Sequence, residues 1–343
     1  MTLILGLESS CDDSAVALVT ADRRILAQAV VGQAQAHQPY GGVVPEIAAR
    51  AHVEILPDLI RRVLDDARLS IHDVDAVAAT AGPGLIGGVM VALLAGKGLA
   101  LAGGKPLMAI NHLEGHALSP RLVDPDLDFP YLLLLVSGGH CQLLEICGIG
   151  DYRRLATTID DAAGEAFDKA AKLLGLGYPG GPALEEFAKS GDPKAVPLPR
   201  PLIGSDEAHF SFAGLKSAVQ RAVASGAYRQ EDIAASFQQA VVDCLLDRTA
   251  LALGKTSAPA LVVAGGVASN QAIRSALTKL AKSNGRRFSV PPGWLCTDNA
   301  AMIAWAGAER LKAGMCDDLD APARARWPLD ERAEKVRGAG VKA

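Results

Sequence analysis

The chain has 343 residues, a formal net charge of −4, 50% hydrophobic residues and only 4% aromatic residues. This length suits two domains of ordinary size, and the composition predicts a core built mainly from Ala, Leu, Val and Ile. The negative net charge disfavours a protein that binds nucleic acid by bulk electrostatic attraction, although a local basic face remains compatible with it.

Cysteine usage and the apolar segments indicate the compartment. Six cysteines, with no CxxC pair and no disulfide-dense pattern, suit a reducing environment. The N-terminus lacks a basic region before its apolar run, so we expect no signal peptide. The apolar segment 87–102 contains Lys97 and several glycines, so we expect it to be too short and too interrupted to span a bilayer. These features predict a soluble cytoplasmic protein without a membrane partner.

The chain opens with a predicted β-meander. Residues 3–7, 15–19 and 25–31 have the apolar pattern of strands. The turn 8–13 between the first two is short and rich in Ser and Asp. Such a turn can present backbone N–H groups and carboxylates to a phosphate or a metal–phosphate group. Taken alone, it is equally compatible with an ordinary hairpin.

Helices and strands then alternate. A helix is predicted from Glu46 to about 67, a strand at 75–80, and a helix from about 85 to 102. Glycines inside a helix cost about 1 kcal/mol each relative to Ala, so their presence predicts the close approach of another backbone. The glycines in question are Gly87, Gly88, Gly96 and Gly98.

A strand at 107–110 leads into a short predicted helix that contains His112 and His116 and ends near Ser119, before Pro120. Residues four apart on a helix face the same way, so both imidazoles project from one side. Neutral imidazole is a good ligand for zinc, iron or nickel, and the pair supplies half of a metal site. The alternative interpretation is two ordinary histidines in a polar helix.

The second half of the chain repeats this opening. A strand at 131–136, a tight turn Ser137-Gly138-Gly139, a return strand at 140–146 and a third strand at 153–157 follow in order. The repeat predicts a duplicated α/β domain. Two adjacent glycines let a backbone approach a ligand and point its N–H groups toward it.

Four helices are predicted next, and a glycine-rich segment, 177–182, separates the helix at 163–174 from the helix at 182–188. A strand at 261–264 then leads through Gly265-Gly266 into a helix that ends near Ser283. This junction resembles a nucleotide-contacting turn, but it is neither GxGxxG nor a Walker P-loop. The predicted helices span 163–174, 182–188, 215–225 and 232–253.

The last predicted helix follows Asp298 and ends near Ala313. Asp298 directly precedes this helix, and aspartate is a preferred residue at the N-cap, so Asp298 is a natural N-cap. The tail from Ala321 onward carries more basic than acidic residues, and it is either an ordinary chain end or a local basic patch for RNA or a partner. Its basic residues are Arg324, Arg326, Arg332, Lys335, Arg337 and Lys342.

Nine segments, in order from Leu3 to about Gly314, together resemble the TsaD family of tRNA N6-adenosine threonylcarbamoyltransferases, formerly described as O-sialoglycoprotein endopeptidases. The resemblance implies the α/β fold of the actin, Hsp70 and sugar-kinase superfamily, with two duplicated RNase H-like domains and a nucleotide cleft between them. The implied domains are 1–128, completed by about 298–343, and 129–297. The segments are ESSCDDSAVAL, HQPYGGVVPEIAAR, AGPGLIGG, NHLEGH, LLVSGGHCQL, DDAAGEAFDKAAKLLGLGYPGGP, FSFAGLKSAV, VVAGGVASN and CTDNAAMIAWAG.

The family's site residues carry over to matching positions. His112, His116 and Asp298 match its three metal ligands, which hold one divalent cation per chain, usually given as iron(II). Many relatives read ETSCDET in the opening turn, where Asp13 here keeps a carboxylate but is shorter by one methylene. The implied substrate contacts are Leu135, Val136, Ser137, Gly138, Gly139, Asp168, Gly181, Glu185 and Asn270.

The implied reaction transfers the threonylcarbamoyl group of threonylcarbamoyl-adenylate to N6 of adenosine 37, in tRNAs that read codons beginning with A, and releases AMP. Asp12, Asp13 and Asp168 are candidates for the general base, and the sequence does not choose among them. The implied partners are tRNA, a smaller paralogous subunit and an ATPase subunit.

Two other functions are compatible with parts of the pattern. In a HExxH metalloprotease the glutamate directly follows the first histidine, whereas Glu114 lies two residues after His112, about 200° around the helix. A protease is therefore disfavoured. An ATP-binding scaffold or regulatory member of the same superfamily is the main alternative, and the two histidines with Asp298 argue against it.

Overall fold

Two five-stranded sheets organise this computed structural model, which describes residues 2–40, 42–177, 179–334 and 336. Each sheet belongs to its own unit. Unit 1 contains residues 2–126 and 297–331, and unit 2 contains residues 127–296 with the described residues after 331. The described residues 332–334, which the sequence analysis groups with the first domain, contact unit 2, where Arg332 donates to a carboxylate oxygen of Asp151 at 3.0 Å.

The sheet of unit 1 has the strand order β3-β2-β1-β4-β5. The first three strands form the predicted antiparallel meander, and β4 and β5 add to β1 in parallel. Its strands are β1 Leu3–Glu8, β2 Asp13–Thr20, β3 Ile25–Gly32, β4 Ala76–Gly82 and β5 Leu107–Asn111.

The sheet of unit 2 has the same order, β8-β7-β6-β9-β10. Its meander is again antiparallel, and β9 and β10 again add in parallel to the first strand of the meander. The predicted duplication is therefore confirmed. Its strands are β6 Tyr131–Val136, β7 Cys141–Gly148, β8 Asp151–Thr157, β9 Ala260–Ala264 and β10 Arg287–Ser289.

The predicted helices are present, with ends that differ by a few residues in most cases. Two four-residue helices, α1 and α10, and the short strand β10 were not predicted, because segments of three or four residues have no readable periodicity. The helices are α1 Ala34–His37, α2 Pro45–Ala67, α3 Ile86–Gly103, α4 His112–Val123, α5 Ala163–Leu173, α6 Gly180–Ala188, α7 Ala213–Ser225, α8 Gln230–Leu253, α9 Gln271–Ser283, α10 Gly293–Cys296 and α11 Ala300–Lys312.

Helix α4 does not end near Ser119 as predicted. It continues through Pro120 to Val123. Proline lacks the N–H that would bond the carbonyl of His116, but the Ser119 hydroxyl donates to that carbonyl at 3.0 Å. The side chain thus replaces the missing backbone bond, and the helix tolerates the proline.

The glycines of α3 only partly match the prediction of a close backbone. At Gly88 an added Cβ would lie 2.3 Å from the carbonyl oxygen of Ser9, which is a backbone contact. At Gly87 and Gly96 the close atoms are the Cβ atoms of Ala49 and Ala79, and at Gly98 there is open space within 4 Å. Gly98 is therefore not explained by packing.

Each unit has its own apolar core. The main buried cluster of unit 1 consists of Leu, Val and Ala side chains, and Ile side chains such as Ile4 and Ile110 are also buried, as predicted. That of unit 2 is also mainly aliphatic but includes four phenylalanines, of which Phe167 and Phe237 pack edge to face at 5.3 Å. All six cysteines are free thiols.

Helix α3 is the one described helix whose length and composition would allow it to cross a bilayer. It packs on β4 and α2 within unit 1, and 33% of its residues are buried. Core helices of folded domains share this composition, so the feature is weak evidence for a membrane span. On its outer side, however, α3 leaves several large apolar side chains exposed, among them Leu94 and Leu101.

Candidate metal centre and substrate-binding residues

The two histidines lie in the first turns of α4, directly after β5. Asn111 caps this helix, since its side-chain oxygen accepts a hydrogen bond from the N–H of Leu113 at 2.9 Å. His112 and His116 are buried, and their ring centroids are 4.8 Å apart with the planes at 90°. The strand end and the cap therefore fix where both imidazoles point.

Asp298 is not the N-cap of α11, as residue preference had suggested. Asn299 takes that role, because its side-chain oxygen accepts from the N–H of Met302 at 3.0 Å. The carboxylate of Asp298 instead lies beside both histidines. Its Oδ1 is 3.1 Å from Nε2 of His116 and 3.5 Å from Nε2 of His112.

A close packing contact holds this end of α11 in place. Helix α11 lies against β1 at Gly6, where an added Cβ would be 2.4 Å from the carbonyl oxygen of Ala300 and 2.7 Å from the nitrogen of Ala304. Only glycine allows this approach of strand and helix backbones. Gly6 therefore contributes to the position of Asp298, although it carries no ligand atom.

The three side chains fit a divalent cation. One ligand atom from each of His112, His116 and Asp298 lies within 4.8 Å of the others. Ligands about 2.1 Å from a common centre lie roughly 3 Å apart, which is close to the two nitrogen–oxygen distances found here. Two imidazoles and one carboxylate are also the donor set of non-haem iron sites that keep open positions. The Asp298 side chain is 26% exposed, so one side of the cluster is accessible.

Charge interactions within the cluster are strong. Burial by itself would lower the pKa of His112, but the carboxylates of Glu8 and Asp298 raise this pKa well above its usual value. Burial would likewise raise the pKa of Asp298, but the two histidines hold that pKa well below its usual value. The site thus carries an ionised carboxylate beside the imidazoles, which is the charge that a divalent cation requires.

Glu8, which the sequence pattern places in the opening turn, lies behind His112. Its side chain is fully buried at the end of β1, and its Oε2 is 3.0 Å from Nδ1 of His112. The signal for this role in the sequence is an acidic residue at the end of an otherwise apolar strand.

Glu114 faces away from the cluster, as the helical spacing predicts. It is buried, and its carboxylate pairs with the guanidinium of Arg310 at 3.1 Å. A buried carboxylate that is neutralised by arginine is not available as the general base of a metalloprotease.

The opening turn carries two candidate bases, Asp12 and Asp13, and the charge of Asp298 acts on the carboxyl of Asp13. The backbone carbonyl of Asp12 accepts from the N–H of Gln33 at 3.0 Å. Burial, followed by the negative charges of Asp298, Asp12 and Glu8, raises the pKa of the Asp13 carboxyl to about 7. Such a carboxyl exchanges its proton near neutral pH, which is a requirement of an acid–base catalyst.

In unit 2, the glycine turn closes tightly after β6. The N–H of Ser137 donates to the carbonyl of His140 at 2.8 Å, and the N–H of His140 donates to the Ser137 hydroxyl at 3.1 Å. Among the described residues, the N–H groups of Gly138 and Gly139 have no hydrogen-bond partner. These two groups are therefore available to an anion. The preceding Leu135 and Val136 are buried strand residues that support the turn.

The remaining predicted substrate contacts of unit 2 lie at the starts of α6 and α9 or bond to backbone groups there. Asp168 accepts from the N–H of Gly180 at 2.9 Å, and the N–H of Gly181 also bonds to it. Burial raises the pKa of Asp168, although these two bonds oppose the shift. Because this carboxylate holds the start of α6, it is less available as a general base.

Glu185 and Asn270 are brought together at the start of α9. Glu185 accepts from the N–H of Gln271 at 2.7 Å. Asn270 caps α9 through Ile273 at 3.0 Å, and its amide donates to Gln238 at 2.8 Å. The backbone before this helix passes close to the glycine turn, since a Cβ at Gly265 would lie 2.4 Å from the carbonyl oxygen of Val136. The carboxyl ends of β6 and β9 thus gather these residues at one edge of the sheet.

The basic tail is described only in part. Arg324 pairs with Glu331 at 3.1 Å and lies over the ring of Trp327, while Arg332 pairs with Asp151. The positions Lys335, Arg337 and Lys342 lie outside the described residues. The residue Tyr178 of the glycine-rich segment 177–182 lies outside them as well.

Comparison with known proteins identifies the family. The family model described as TsaD, tRNA N6-adenosine threonylcarbamoyltransferase, matches residues 24–305. The chain belongs to this family. Proteins of that name from Sphingopyxis alaskensis and Novosphingobium aromaticivorans are 72% and 66% identical to it, and the alignments cover 100% of both chains in each case. The Zymomonas mobilis protein of that name is 65% identical, over 100% of this chain and 96% of its own.

Solved structures confirm the predicted fold of this TsaD protein. HypF of T. kodakarensis has a TM-score of 0.62 and 16% identity, over 92% of this chain and 48% of its own. Component A of (R)-2-hydroxyglutaryl-CoA dehydratase from Acidaminococcus fermentans has a TM-score of 0.55 and 18% identity, over 91% of this chain and 100% of its own. At such identities the likeness shows the fold alone, which is the duplicated α/β fold with two five-stranded sheets.

Family membership also confirms that the chain is a transferase that acts in tRNA modification. The expected metal site is present as a possible three-ligand cluster, His112, His116 and Asp298.

Proposed function

We propose that this protein transfers the threonylcarbamoyl group of threonylcarbamoyl-adenylate to N6 of adenosine 37, in tRNAs that read codons beginning with A. The N6 amine attacks the carbamoyl carbon, so that a C–N bond forms and the C–O bond to the phosphate breaks. AMP leaves, and N6 loses one proton. The observation that carries the proposal is the match to the TsaD family along the chain, together with the cluster of His112, His116 and Asp298.

We propose that this cluster holds one divalent cation per chain and that the cation is iron(II). Two neutral imidazoles and a carboxylate are the donor set that suits this ion. A bound cation supplies Lewis-acid stabilisation of charge on a carbonyl or phosphoryl oxygen. Metal analysis of protein purified without oxygen and without chelators tests the identity of the ion, and zinc at one equivalent with full activity would contradict iron(II).

We propose that Asp13 is the group that accepts the N6 proton. Among the three candidates, Asp168 is engaged by the N–H groups of Gly180 and Gly181. The raised pKa of Asp13, to about 7, suits proton transfer near neutral pH. A cation beside Asp298 would lower this pKa again, because it neutralises one of the negative charges that raise it.

In unit 2, we propose that the N–H groups of Gly138 and Gly139 bind the phosphate of the adenylate, because they are unpaired and adjacent. Gly181, in the first turn of α6, and Asn270, the N-cap of α9, would then contact the nucleoside together with Glu185, whose carboxylate bonds to the first N–H of α9. Helix starts favour negatively charged ligands. Leu135 and Val136 contribute through the position of Ser137.

We further propose that transfer requires a smaller paralogous subunit, and an ATPase subunit for repeated turnover. A groove of about 980 Å³ between α2 and α3 supports a protein partner on unit 1. Val53, Met90 and Leu94 line it and are 59%, 45% and 57% exposed, which is unusual for large apolar side chains. We assign this groove to the paralogous subunit, because a paralogue would present a similar helix pair.

The groove offers a matched pair of variants. Leu94→Glu places a charge in the groove, whereas Leu101→Glu places one on the same helix outside it, at a side chain that is 70% exposed. We expect Leu94→Glu to abolish binding of the paralogous subunit and Leu101→Glu to retain it. Equal binding by both variants would place the partner elsewhere.

The activity test uses the full chain with threonylcarbamoyl-adenylate and an unmodified tRNA transcript, with and without the two partner subunits. Mass spectrometry of the digested nucleosides then detects threonylcarbamoyl-adenosine. A transcript with guanosine at position 37 controls for the acceptor. Absence of product with all components present would overturn the proposal. A tRNA substrate also leads us to propose a cytoplasmic location.

A further inference from the structure

The carboxylate of Glu8 is buried beside the candidate metal centre, although it supplies no ligand atom. It lies at the end of β1 with no exposed surface. A buried carboxylate is costly unless donors surround it. The three donors found around Glu8 connect strand, turn and metal helix.

Each oxygen of Glu8 has a defined partner. Oε1 accepts from the N–H of Ser10 at 2.6 Å. Oε2 accepts from the hydroxyl of Thr80 at 2.5 Å and lies 3.0 Å from Nδ1 of His112. The Ser10 hydroxyl is also 3.1 Å from this nitrogen. An ionised carboxylate only accepts hydrogen bonds, so in the contact between Nδ1 of His112 and Oε2 of Glu8 the proton must be on Nδ1.

This arrangement fixes the free nitrogen of His112. When Nδ1 is protonated, the lone pair of the neutral ring is on Nε2. Nε2 is the atom that faces Oδ1 of Asp298, at 3.5 Å. His116 differs, because its Nδ1 is buried and has no hydrogen-bond partner among the described residues. The protein therefore orients one histidine of the pair through a carboxylate and leaves the other to helix packing.

We propose that Glu8 is a positioning residue of the metal centre, which holds His112 with its proton on Nδ1 and its lone pair directed at the cation. The proposal rests on the proposed metal site. Partners of this kind behind a ligand histidine change metal affinity by about 10- to 100-fold when they are replaced. Through Ser10, the same carboxylate joins the metal helix to the opening turn that carries Asp12 and Asp13.

Glu8→Gln is a sharp test, because neither orientation of the amide satisfies all three donors. With its NH₂ group at the Oε2 position, the amide faces the donors on Thr80 and His112. With its NH₂ group at the Oε1 position, it faces the N–H of Ser10, which lies at 2.6 Å in the native protein. The substitution keeps the volume, so the effect reports on the charge and the hydrogen bonds of Glu8 and not on packing.

Glu114→Gln is the matched control. Glu114 is also a buried glutamate, it lies on the same helix as both ligand histidines, and its partner is Arg310 instead of a histidine. Replacing it changes a buried ion pair next to the site without changing the partner of either ligand histidine. Urea unfolding of both variants separates loss of stability from loss of metal affinity.

The readout is the affinity for Co²⁺, measured by competition with a chromophoric chelator. We expect Glu8→Gln to bind Co²⁺ about 10- to 100-fold more weakly than the native protein and Glu114→Gln to bind it with unchanged affinity. Thr80→Val, which removes one donor to Oε2 and keeps the volume, should show a smaller loss. Native affinity in Glu8→Gln would overturn the role of Glu8.

A second readout needs no variant. In the Zn²⁺-loaded native protein, long-range ¹H–¹⁵N spectra of ¹⁵N-histidine should show both ligand rings protonated on Nδ1, because both face the site through Nε2. Only the Nδ1 proton of His112, which is hydrogen-bonded to Glu8, should exchange slowly with solvent. A His112 ring that is protonated on Nε2 would overturn the proposal even if Glu8→Gln does not fold. Failure of the native protein to bind either ion would instead overturn the metal centre itself, so the two failures are distinguishable.

Discussion

Units 1 and 2 share one strand order but carry different groups after corresponding strands. After β1 of unit 1 the turn is acidic, from Glu8 to Asp13, whereas after β6 of unit 2 it is the glycine turn from Ser137. After β5, helix α4 carries the two histidines of the candidate metal centre, whereas after β10 the four-residue α10 carries no histidine. The duplicated fold places loops at equivalent sheet ends, and the residues in them decide whether a loop attracts a cation or an anion.

This difference predicts that metal chemistry depends on unit 1 alone. His112→Ala removes one of three ligands, and we expect transfer activity to fall by about 10³-fold, which corresponds to a loss of several kcal/mol of electrostatic stabilisation. The variant should remain folded but lose stability, because Glu8 keeps a buried charge without its histidine partner. Product formation with purified components and metal content per chain are the measurements.

His72→Ala is the control for this substitution. His72 is an exposed residue of unit 1 outside the cluster, and we expect its replacement to leave both activity and metal content unchanged. Full transferase activity in His112→Ala would remove His112 from the reaction.

The second prediction concerns the backbone contact that sets the position of Asp298. Gly6→Ala inserts a Cβ that would lie 2.4 Å from the carbonyl oxygen of Ala300, so strand β1 and helix α11 must separate. Overpacking of this kind costs about 1–3 kcal/mol, and more where backbone is the obstacle. We expect the free energy of unfolding and the metal affinity to fall together.

Gly98→Ala is the matched control, because its Cβ meets nothing within 4 Å. In a helix interior this change should stabilise by up to about 1 kcal/mol. Urea unfolding of the two variants measures the difference, and equal stability would show that α11 shifts away from Gly6 without cost.

The first two predictions depend on features that the sequence reveals to different degrees. The duplication could be predicted because strand patterns and glycine turns recur in both halves. The grouping of His112, His116 and Asp298 came from the family resemblance, since no local rule joins residues that are 182 positions apart. Residue preference alone assigned Asp298 to an N-cap, and this was wrong because Asn299 competes for the same role and takes it.

Two further features depend on tertiary contacts. Proline rules predicted that α4 ends before Pro120, and they could not anticipate that the Ser119 hydroxyl would satisfy the carbonyl of His116. Glu8 was treated as part of a polar turn because its partners, Thr80 and His112, come from distant strand and helix segments. Local sequence patterns do not identify side-chain partners that are distant along the chain.

The third prediction separates the two units by their ligands. Bound Zn²⁺ at 100 times its dissociation constant should stabilise the native state by about 2.7 kcal/mol. We expect hydrogen exchange to slow at α4 and at residues 297–299, and to remain unchanged at β6–β10. AMP should instead slow exchange at 137–139 and 265–270. Protection of the same segments by both ligands would contradict the division of roles.

The smallest expected effect is the pH dependence of the metal-free protein. Asp13 has a pKa of about 7 in the folded state, raised from 3.8 by burial, then by Asp298, Asp12 and Glu8. Between these two values the folded state holds a proton that the unfolded state has lost, so stability falls as pH rises. This contribution is complete below pH 4 and is lost as pH passes through 7.

Asp13→Asn removes this proton uptake and should therefore gain stability relative to the native protein between pH 5 and pH 8. After allowance for solvent screening, we expect a relative gain of about 1–2 kcal/mol. Urea unfolding at four pH values, with a chelator present, measures it. Adding Zn²⁺ should reduce the difference, because a cation beside Asp298 offsets the second cause of the raised pKa. Parallel stability profiles for the two proteins without metal would show that the folded state takes up no extra proton at Asp13 in this range. The proposed proton acceptor would then lack its physical basis.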